Sequence, residues 1–529
     1  MSETTSPPTP PPGRRWLGPL ILLLLAALAV GVIQSRTETD NNIRAWLTAA
    51  AVALGLVAQL VWLLLFSRLG WRQRLLPVVA LLVLAGGVKL LTRVEGTGSG
   101  IGLPRLVWRW QPTADQRLAA LTASSPTRKP AAVSPAAAEA RFRFPQFLGP
   151  DRTGRVDDVK LARDWKTQPP RELWRRPVGL GWSGFVVADG LALTQEQRGE
   201  DEVVAAYTLT GGEPVWAHTN RTRFREWQGG DGPRATPTIV SNRVYAFGAT
   251  GILDCLELAT GRPVWSVDVL ATNHLDNLTW GKSSSPLVAD GRVIVSGGTT
   301  TVRGALAFAA DTGNFLWADN GDAASYASAS AVTLAGRPQI LINGARATAG
   351  LDPVTGKRLW EFAWGNEQMP KAAQPVVVSS NRVFVSAGYS MGCLLLEVGP
   401  DAQGTWAATE VWRSRSLKTQ FNNVAVRDGH LYGLDDGFLA CVDVATGKRV
   451  WKDGRFGSGQ SLLINDLVLL QAETGFVALA EAKPDGFAEL GRLNALSAKT
   501  WNNPALAGPY LLVRNDQEAV CYLLPVAGE

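Results

Sequence analysis

A single short pattern recurs beyond residue 141, in which a turn containing Thr-Gly, or an equivalent, is followed closely by tryptophan. It appears as LTGGEPVW, ATGRPVW, DTGNFLW, DPVTGKRLW and DVATGKRVW, which end at Trp216, Trp265, Trp317, Trp360 and Trp451. Trp174 and Trp412 continue the series after degenerate turns, and the successive spacings are 42, 49, 52, 43, 52 and 39 residues. A period of this size is typical of stacked or radially repeated units.

Each period contains short β-rich segments separated by turn residues. Examples are TIVSNRVYAFGA, PLVADGRVIVSGG and PVVVSSNRVFVSAG, in which two apolar runs flank a turn at Asn or Asp-Gly. Four short strands per period follow, which predicts a β-propeller built from four-stranded blades. Glycine accepts the positive φ of the recurring turn, and tryptophan has enough surface to pack between neighbouring sheets.

The ends of the series determine the number of blades. Counting from Trp174 gives seven units up to about Arg492, and the remaining sequence, with TWNNPALAGPYLLVRNDQEAVCYLLPV, supplies about three strands. The segment RELWRRPV at 171–178 can provide the missing outer strand and join the last blade to the first, which removes exposed sheet edges. The predicted fold class is all-β, an eight-bladed β-propeller, with seven blades as the alternative if degenerate units merge.

Three apolar runs precede the repeats. They cover about 16–33, 45–66 and 75–92, and they approach or reach the ~20 residues that a helix needs to cross ~30 Å of hydrocarbon. We therefore predict a membrane anchor over 16–93 with three transmembrane helices. The proline-rich N-terminus at 1–15 offers no apolar surface to bury and is predicted to be disordered and cytoplasmic.

Basic residues set the orientation of the anchor. They precede the first run and crowd the loop between the second and third runs, as Arg14, Arg15, Arg68, Arg72 and Arg74. Because cytoplasmic loops carry the excess of Lys and Arg, both segments are expected in the cytoplasm. Three spans then predict a multi-pass protein of the cytoplasmic (inner) membrane with its propeller on the periplasmic side. The formal net charge of +6 thus reflects membrane topology, and no nucleic-acid partner is expected.

Residues 94–140 are rich in Gly, Pro, Ala, Ser and Thr, a composition that predicts a flexible linker, with only a short helix around 114–121, before a propeller over 141–529. The cysteines are widely separated, without a C-x-x-C pair, and are expected to be small buried residues: Cys255, Cys393, Cys441 and Cys521. The three histidines are scattered, so no metal site is expected.

The D-x-x-T-G-x-x-x-W signature resembles the PQQ-like propeller repeat, found in quinoprotein alcohol dehydrogenases and in the propeller lipoprotein of the bacterial outer-membrane assembly machinery. The resemblance covers roughly residues 144–525. FPQFLGPDRTG at 144–154 and GPRATPTIVSNRVYAFGATGILDCLE at 232–257 are similar to a bacterial subgroup of PQQ-binding-like repeat proteins. The resemblance implies the fold and leaves the activity open, because one fold hosts many functions.

Quinoprotein dehydrogenases hold PQQ in the central funnel beside a Ca²⁺ bound by carboxylate and amide oxygens, with an Asp as base. The resemblance to them implies such a site here. Many also place a disulfide of adjacent cysteines against the cofactor. This sequence has no adjacent cysteines, and no convincing set of Glu, Asn and Asp falls at the expected blade entries. Membrane-bound quinoprotein glucose dehydrogenases nevertheless share the layout of transmembrane helices ahead of a propeller.

The candidate ligand-binding residues precede the innermost strand of successive blades, in contexts such as GWSG, PRATP, GKSSSP and PKAAQP. They are Trp182, Arg234, Lys282, Tyr326, Lys371, Lys418, Gln460 and Lys499, five of which are basic. Like charges that converge in a cavity focus potential on an anion. The alternative is that long basic side chains reach water at the rim.

Three functional hypotheses follow. The leading one is a membrane-tethered module that binds an envelope protein or an anionic ligand through its funnel and connecting loops. The second is a PQQ-dependent dehydrogenase, with PQQ and calcium, that oxidises an alcohol or sugar outside the cytoplasm. The third is an assembly platform with an inert funnel.

Overall fold

The computed structural model describes residues 17–36, 39–67, 69–124, 139–299, 303–365 and 367–528. The N-terminus predicted to be disordered lies outside these residues. The chain divides into two units: Met1–Glu95 with Arg105–Gln111, and Gly96–Pro104 with Pro112–Glu529.

The first unit contains three long helices, α1 (Leu17–Ser35), α2 (Asn41–Leu65) and α3 (Trp71–Leu91). All three are long and apolar enough to cross a membrane by length and composition, and none of their residues is buried within the structure. The three predicted helices are thus confirmed. α2 and α3 begin four residues before the predicted apolar runs because their first turns are polar.

Regular structure continues into the region where composition predicted a flexible linker. Strands β1 (Thr92–Thr97) and β2 (Pro104–Trp108) form a two-stranded sheet, and helix α4 (Ala114–Ser124) follows. Helix α4 belongs to the second unit, as does Arg223. An ion pair of 2.7 Å joins Asp115 Oδ2 of α4 to Arg223 Nη1.

The second unit is a ring of four-stranded antiparallel sheets, numbered here as blades. Blade 1 contains β5 (Val186–Ala188), β6 (Leu191–Arg198), β7 (Asp201–Thr208) and β8 (Pro214–Asn220). Blade 2 contains β9 (Thr238–Val240), β10 (Arg243–Phe247), β11 (Ile252–Glu257) and β12 (Pro263–Asp268), followed by the short helix α5 (Val269–Asn273). Blade 3 contains β13 (Leu287–Ala289), β14 (Arg292–Ser296), β15 (Ala305–Ala309) and β16 (Phe315–Ala318). Blade 4 contains β17 (Ser330–Leu334), β18 (Arg337–Asn343), β19 (Ala347–Leu351) and β20 (Arg358–Ala363).

The second half of the ring repeats this order. Blade 5 contains β21 (Val376–Ser379), β22 (Arg382–Ala387), β23 (Gly392–Pro400) and β24 (Trp406–Ser414). Blade 6 contains β25 (Ala425–Arg427), β26 (His430–Asp435), β27 (Phe438–Asp443) and β28 (Arg449–Asp453). Blade 7 contains β29 (Gln460–Ile464), β30 (Leu467–Gln471), β31 (Phe476–Glu481) and β32 (Glu489–Asn494). Blade 8 contains β33 (Ala505–Ala507), β34 (Tyr510–Arg514) and β35 (Glu518–Leu523).

Strand β4 (Arg171–Pro177) pairs with β35 and is the outer strand of blade 8. The N-terminal side of the ring therefore completes its last blade, which confirms the predicted closure and the count of eight blades. The two-residue strand β3 (Arg155–Val156) additionally pairs in parallel with β29. The sequence pattern did not predict that addition.

The order of the strands defines two faces of the ring. The first strand of each blade lies nearest the axis, where first strands of neighbouring blades meet. Because successive strands are antiparallel, the second-to-third-strand turns and the connections between blades lie on one face, called here the upper face. The first-to-second and third-to-fourth-strand turns lie on the lower face.

The core lies between neighbouring blades, as a series of apolar layers built from side chains of facing sheets. All four cysteines are buried there, and none of them forms a disulfide. Paired positive φ angles at Asp290 (47°) and Gly291 (71°) give the tight type I′ turn that joins β13 to β14.

The recurring tryptophans join consecutive blades. Trp265 of blade 2 donates its indole N–H to Ala310 O of blade 3 at 3.0 Å, and Gly313 of the next Thr-Gly turn lies against its ring. The same bond to a carbonyl of the following blade is made by Trp174, Trp216, Trp317, Trp412 and Trp451. The predicted structural role of the motif is therefore present at the atomic level.

Two positions depart from this rule. Trp360 donates to Gln339 Oε1 within its own blade, at 2.7 Å, because blade 5 has a longer β23–β24 hairpin in place of the Thr-Gly turn. In blade 7 the tryptophan position is held by Gly491, and Trp165 from the segment before β4 packs on that glycine.

A buried charged network links blade 8 to blade 1. Arg514 of β34 is fully buried and donates to Gly179 O and Gln195 O, both at 2.8 Å. Burial opposes the charge of nearby Glu196, but Arg198 and Arg514 outweigh burial and hold the pKa of this carboxyl at about 2. The seam between blades 8 and 1, where the ring closes, thus contains a carboxylate and arginines of opposite charge within an apolar layer.

Candidate functional site

The upper face opens into a cavity of about 200 Å³ on the axis of the ring. Its wall is built mainly by the segments that lead into the innermost strands, which is where the sequence placed the candidate ligand-binding residues. Seven aromatic side chains contribute: Phe147, Trp182, Trp280, Tyr326, Tyr389, Phe421 and Trp501. The cavity is thus an aromatic funnel.

The aromatic rings contact one another around the wall. Trp501 lies 4.9 Å from Trp182 and 5.0 Å from Phe421, measured between ring centres. Trp280 and Tyr326 lie 5.4 Å apart on the wall between blades 2 and 4. Such ring contacts stiffen the wall and present flat apolar surfaces to an occupant.

Four of the eight predicted residues line this cavity, namely Trp182, Arg234, Tyr326 and Gln460. The guanidinium of Arg234 donates to the carbonyls of Gly230 and Gly232 and lies 4.6 Å from the ring centre of Phe224. Burial lowers the pKa of Arg234 to about 10. A charged donor is therefore present at the wall, held by its own connecting segment.

Three predicted lysines have their ammonium groups engaged within the protein. Lys282 donates to Gly297 O, and Lys371 donates to Trp364 O at 2.6 Å. Burial lowers the pKa of Lys282 to about 7 and that of Lys371 to about 8. These two side chains cap backbone carbonyls, so their charge is not presented to the cavity.

Lys418 is also buried, with its Nζ 3.9 Å from Asp435 Oδ1. The same carboxylate pairs with Arg449 at 3.2 Å and Lys452 at 2.7 Å. The basic residues of this region thus surround a buried carboxylate.

Lys499 lies beside the aromatic wall. Its Nζ is 3.9 Å from the ring centre of Trp501 and 4.9 Å from that of Trp182, and it donates to Thr97 Oγ1 at 3.2 Å. The cation therefore rests on two indole faces and bonds to a residue far away in sequence.

That residue belongs to a segment that sequence reasoning missed, Gly96–Pro104, called here the funnel loop. Thr97, Ser99, Gly100 and Gly102 line the cavity. Composition alone marked this Gly- and Ser-rich stretch as linker, and no periodic pattern predicted that it would fold into the mouth of a distant cavity.

Carboxamide side chains supply hydrogen-bonding groups around the aromatic surfaces. Gln460 is 2% exposed and donates its Nε2 hydrogens to Phe421 O and Trp501 O, while its Oε1 accepts no hydrogen bond in the described chain. Asn503 Oδ1, on the same wall, likewise has no donor among the described residues. Both oxygens are buried, so each is a polar atom without a hydrogen-bond partner among the described residues.

The wall does not fit the PQQ and calcium set that the resemblance implies. Its cavity-lining residues include no carboxylate, and no group of three or more His, Cys, Asp or Glu that could hold a metal ion occurs in the part of the chain that the structure describes. The cysteines lie in the strands of different blades, so no pair is placed against the cavity.

Comparisons with known proteins agree with this architecture. Residues 200–453 match the family model described as outer membrane protein assembly factor BamB. The outer membrane protein assembly factor BamB of Burkholderia pseudomallei (strain K96243) is 26% identical over 323 residues, which cover 53% of this chain and 81% of that protein.

Two solved structures share the fold. The crystal structure of BamB from Moraxella catarrhalis has a TM-score of 0.50 and 15% identity, covering 68% of this chain and 98% of its own. Quinohemoprotein alcohol dehydrogenase from Comamonas testosteroni has a TM-score of 0.51 and 14% identity, and the match covers 78% of this chain and 85% of that protein. At these identities both show the fold alone. The resemblance to PQQ-like and BamB-like repeat propellers is confirmed.

Proposed function

We propose that the chain is a noncatalytic, membrane-tethered propeller that binds another envelope protein through its upper face, outside the cytoplasm. The observation that carries the proposal is the match of residues 200–453 to an assembly factor, a role performed by contact with other proteins. The aromatic funnel, with three of its candidate lysines engaged internally, supports a binding surface in preference to a catalytic centre.

The upper face offers a suitable contact residue. Trp227, on the connection from blade 1 to blade 2, is 53% exposed, and the side chain of nearby Arg225 is also largely exposed. Tryptophan and arginine are enriched among residues that dominate protein–protein binding energies. An exposed indole beside the funnel mouth is therefore the first position at which we expect a partner.

The anchor supports the proposed location. α1, α2 and α3 expose their apolar side chains, as expected for helices surrounded by lipid. The arginines before the first span and between the second and third favour the cytoplasm, which supports a propeller on the outer side of the inner membrane. The dehydrogenase alternative gains no comparable support, because the cavity wall lacks a calcium-type carboxylate set among the described residues.

Site-specific photocrosslinking in native membranes tests the proposal. p-Benzoylphenylalanine in place of Trp227 is expected to give one discrete adduct with an envelope protein. The same group in place of Val354, which is 62% exposed in a lower-face turn of blade 4, is the matched control and should give none. Equal adducts at both positions, or none at 227, would refute an upper-face partner.

A further inference from the structure

The funnel loop occupies part of the funnel in the manner of a bound peptide. Thr97 is buried, and its hydroxyl donates to Gln228 O at 3.0 Å while accepting from Lys499. The backbone N–H of Gly100 donates to the carboxylate of Glu473. These partners come from blade 7 and from the connections that flank blades 8 and 1, so the loop is held on one side of the mouth.

Glu473 is the main polar receptor for the loop. It is 9% exposed and accepts hydrogen bonds from Ser458 N at 3.2 Å and from Trp501 Nε1 at 2.8 Å, besides the bond from Gly100. Hydrogen bonds to an ionised carboxylate are about twice as strong as neutral ones. A backbone N–H brought to this position is therefore recognised strongly without any contribution from a side chain.

The site selects against side chains at the contact point. A Cβ added to Gly100 would overlap Ser458 Oγ and lie 2.8 Å from Ser458 Cβ. A Cβ added to Gly98 would meet no atom within 4 Å. The receptor thus fits a segment in which glycine meets Glu473.

The rest of the cavity remains open to a longer segment. Its wall is lined by seven aromatic side chains and by the carboxamide residues Gln228, Gln420, Asn423, Gln460 and Asn503. An extended polypeptide presents N–H groups at regular intervals, and aromatic walls accommodate its small side chains. The aromatic wall is suited to such an occupant.

We propose that the funnel mouth is a binding site for a glycine- and serine-rich polypeptide segment, and that the funnel loop is its tethered resident. A segment of the protein partner competes with the loop for Glu473. The identity of that competitor rests on the proposed function, but the peptide site itself does not. Because a short tether gives an effective concentration of about 1 mM, the resident loop competes with any free segment for the site.

The test uses the full chain in nanodiscs and a fluorescent peptide of residues 95–105, EGTGSGIGLPR. Gly100→Val should expel the resident loop, so the peptide is expected to bind at least tenfold more tightly than to the wild type. Gly98→Ala is the control and should bind like the wild type, because its Cβ meets nothing. Adding Glu473→Gln to Gly100→Val should weaken peptide binding about tenfold.

Equal binding by wild type and a folded Gly100→Val variant, judged by near-ultraviolet circular dichroism, would overturn the proposal. Hydrogen exchange on the wild-type protein is a second test of the peptide site and needs no variant. Millimolar peptide should accelerate exchange at residues 96–104, and unchanged exchange would also overturn the proposal. Peptide binding without an adduct at position 227 would refute only the upper-face partner, and the reverse result would refute only the peptide site.

Discussion

Gly313 of blade 3 lies directly against the indole of Trp265 of blade 2, so close that a Cβ at Gly313 would stand 2.8 Å from ring carbon Cδ2. The N–H of the same indole bonds to Ala310 O at 3.0 Å, just before that turn. The repeat motif is thus a joint between blades: the turn of one blade receives the tryptophan of the preceding blade.

Gly313→Ala should therefore destabilise the propeller more than an ordinary turn substitution. Alanine would meet both the φ of +74° and the indole, with a combined cost of about 2–4 kcal/mol. The control, Gly291→Ala, lies in the same blade at a φ of +71°, where a Cβ meets nothing within 4 Å, so only the conformational cost of about 1–2 kcal/mol applies. Thermal unfolding of the full-length protein in detergent compares them, and equal loss in the two variants would contradict the joint.

Glu196→Gln is expected to weaken the seam between blades 8 and 1. It leaves the buried guanidinium of Arg514 without its counter-charge, a change that typically costs about 3–5 kcal/mol, whereas the side chain of Arg198 is 38% exposed and can be solvated. Because the folded pKa of about 2 lies below the ordinary value of 4.5, the carboxylate stabilises the fold above pH 4.5, and this stabilisation is lost as the pH falls toward 2. Urea unfolding between pH 2 and 7 should show that loss in the wild type and a flatter profile in the variant. A variant with the wild-type profile would argue against a stabilising role for the carboxylate.

Glu202→Gln should have the opposite pH signature. Burial raises the pKa of this carboxyl to about 7, although Ala249 N–H and the Thr250 hydroxyl bond to it. The folded protein keeps the proton between pH 4.5 and 7 while the unfolded chain loses it, so stability falls as pH rises through this window. We expect the free energy of unfolding of the variant not to fall over this pH range. Above pH 7 it should exceed that of the wild type by up to about 3 kcal/mol. Urea unfolding measures it, and the exposed Glu200→Gln change should leave the profile unaltered.

Membrane topology can be tested with introduced thiols, since all four native cysteines are buried. Val354→Cys should react with a membrane-impermeant maleimide in intact spheroplasts, because the propeller is expected outside the cytoplasm. Gly70→Cys, exposed just before α3, should react only after permeabilisation. The reverse pattern would place the propeller in the cytoplasm and refute the predicted location.

The sequence predicted the fold well because the repeat motif consists of residues that are close together in the sequence. Each Thr-Gly turn and its tryptophan lie a few residues apart, so their spacing revealed the blades, and RELWRRPV at 171–178 had visible strand character without a partner. Trp165 escaped detection because its contact with Gly491 joins distant residues without a repeated pattern.

The site was less predictable than the ring. Entry positions to the inner strands identified Trp182, Arg234, Tyr326 and Gln460 on the wall, since backbone placement follows from the repeat. Side-chain direction does not follow from it, and Lys282 instead reaches the carbonyl of Gly297. The position of the funnel loop is determined by tertiary contacts, which cannot be predicted from amino-acid composition.

The pairing of β4 with β35 has a consequence for how the chain is made. A ribosome synthesises residues 171–177 long before 518–523, so the outermost strand of blade 8 must wait for nearly the whole polypeptide before it finds its partner. A nascent or prematurely terminated chain carries an open ring with bare sheet edges, which makes it a substrate for chaperones and proteases. Closure of the ring therefore requires the chain through residues 518–523 to be present on the side of the membrane where the propeller folds.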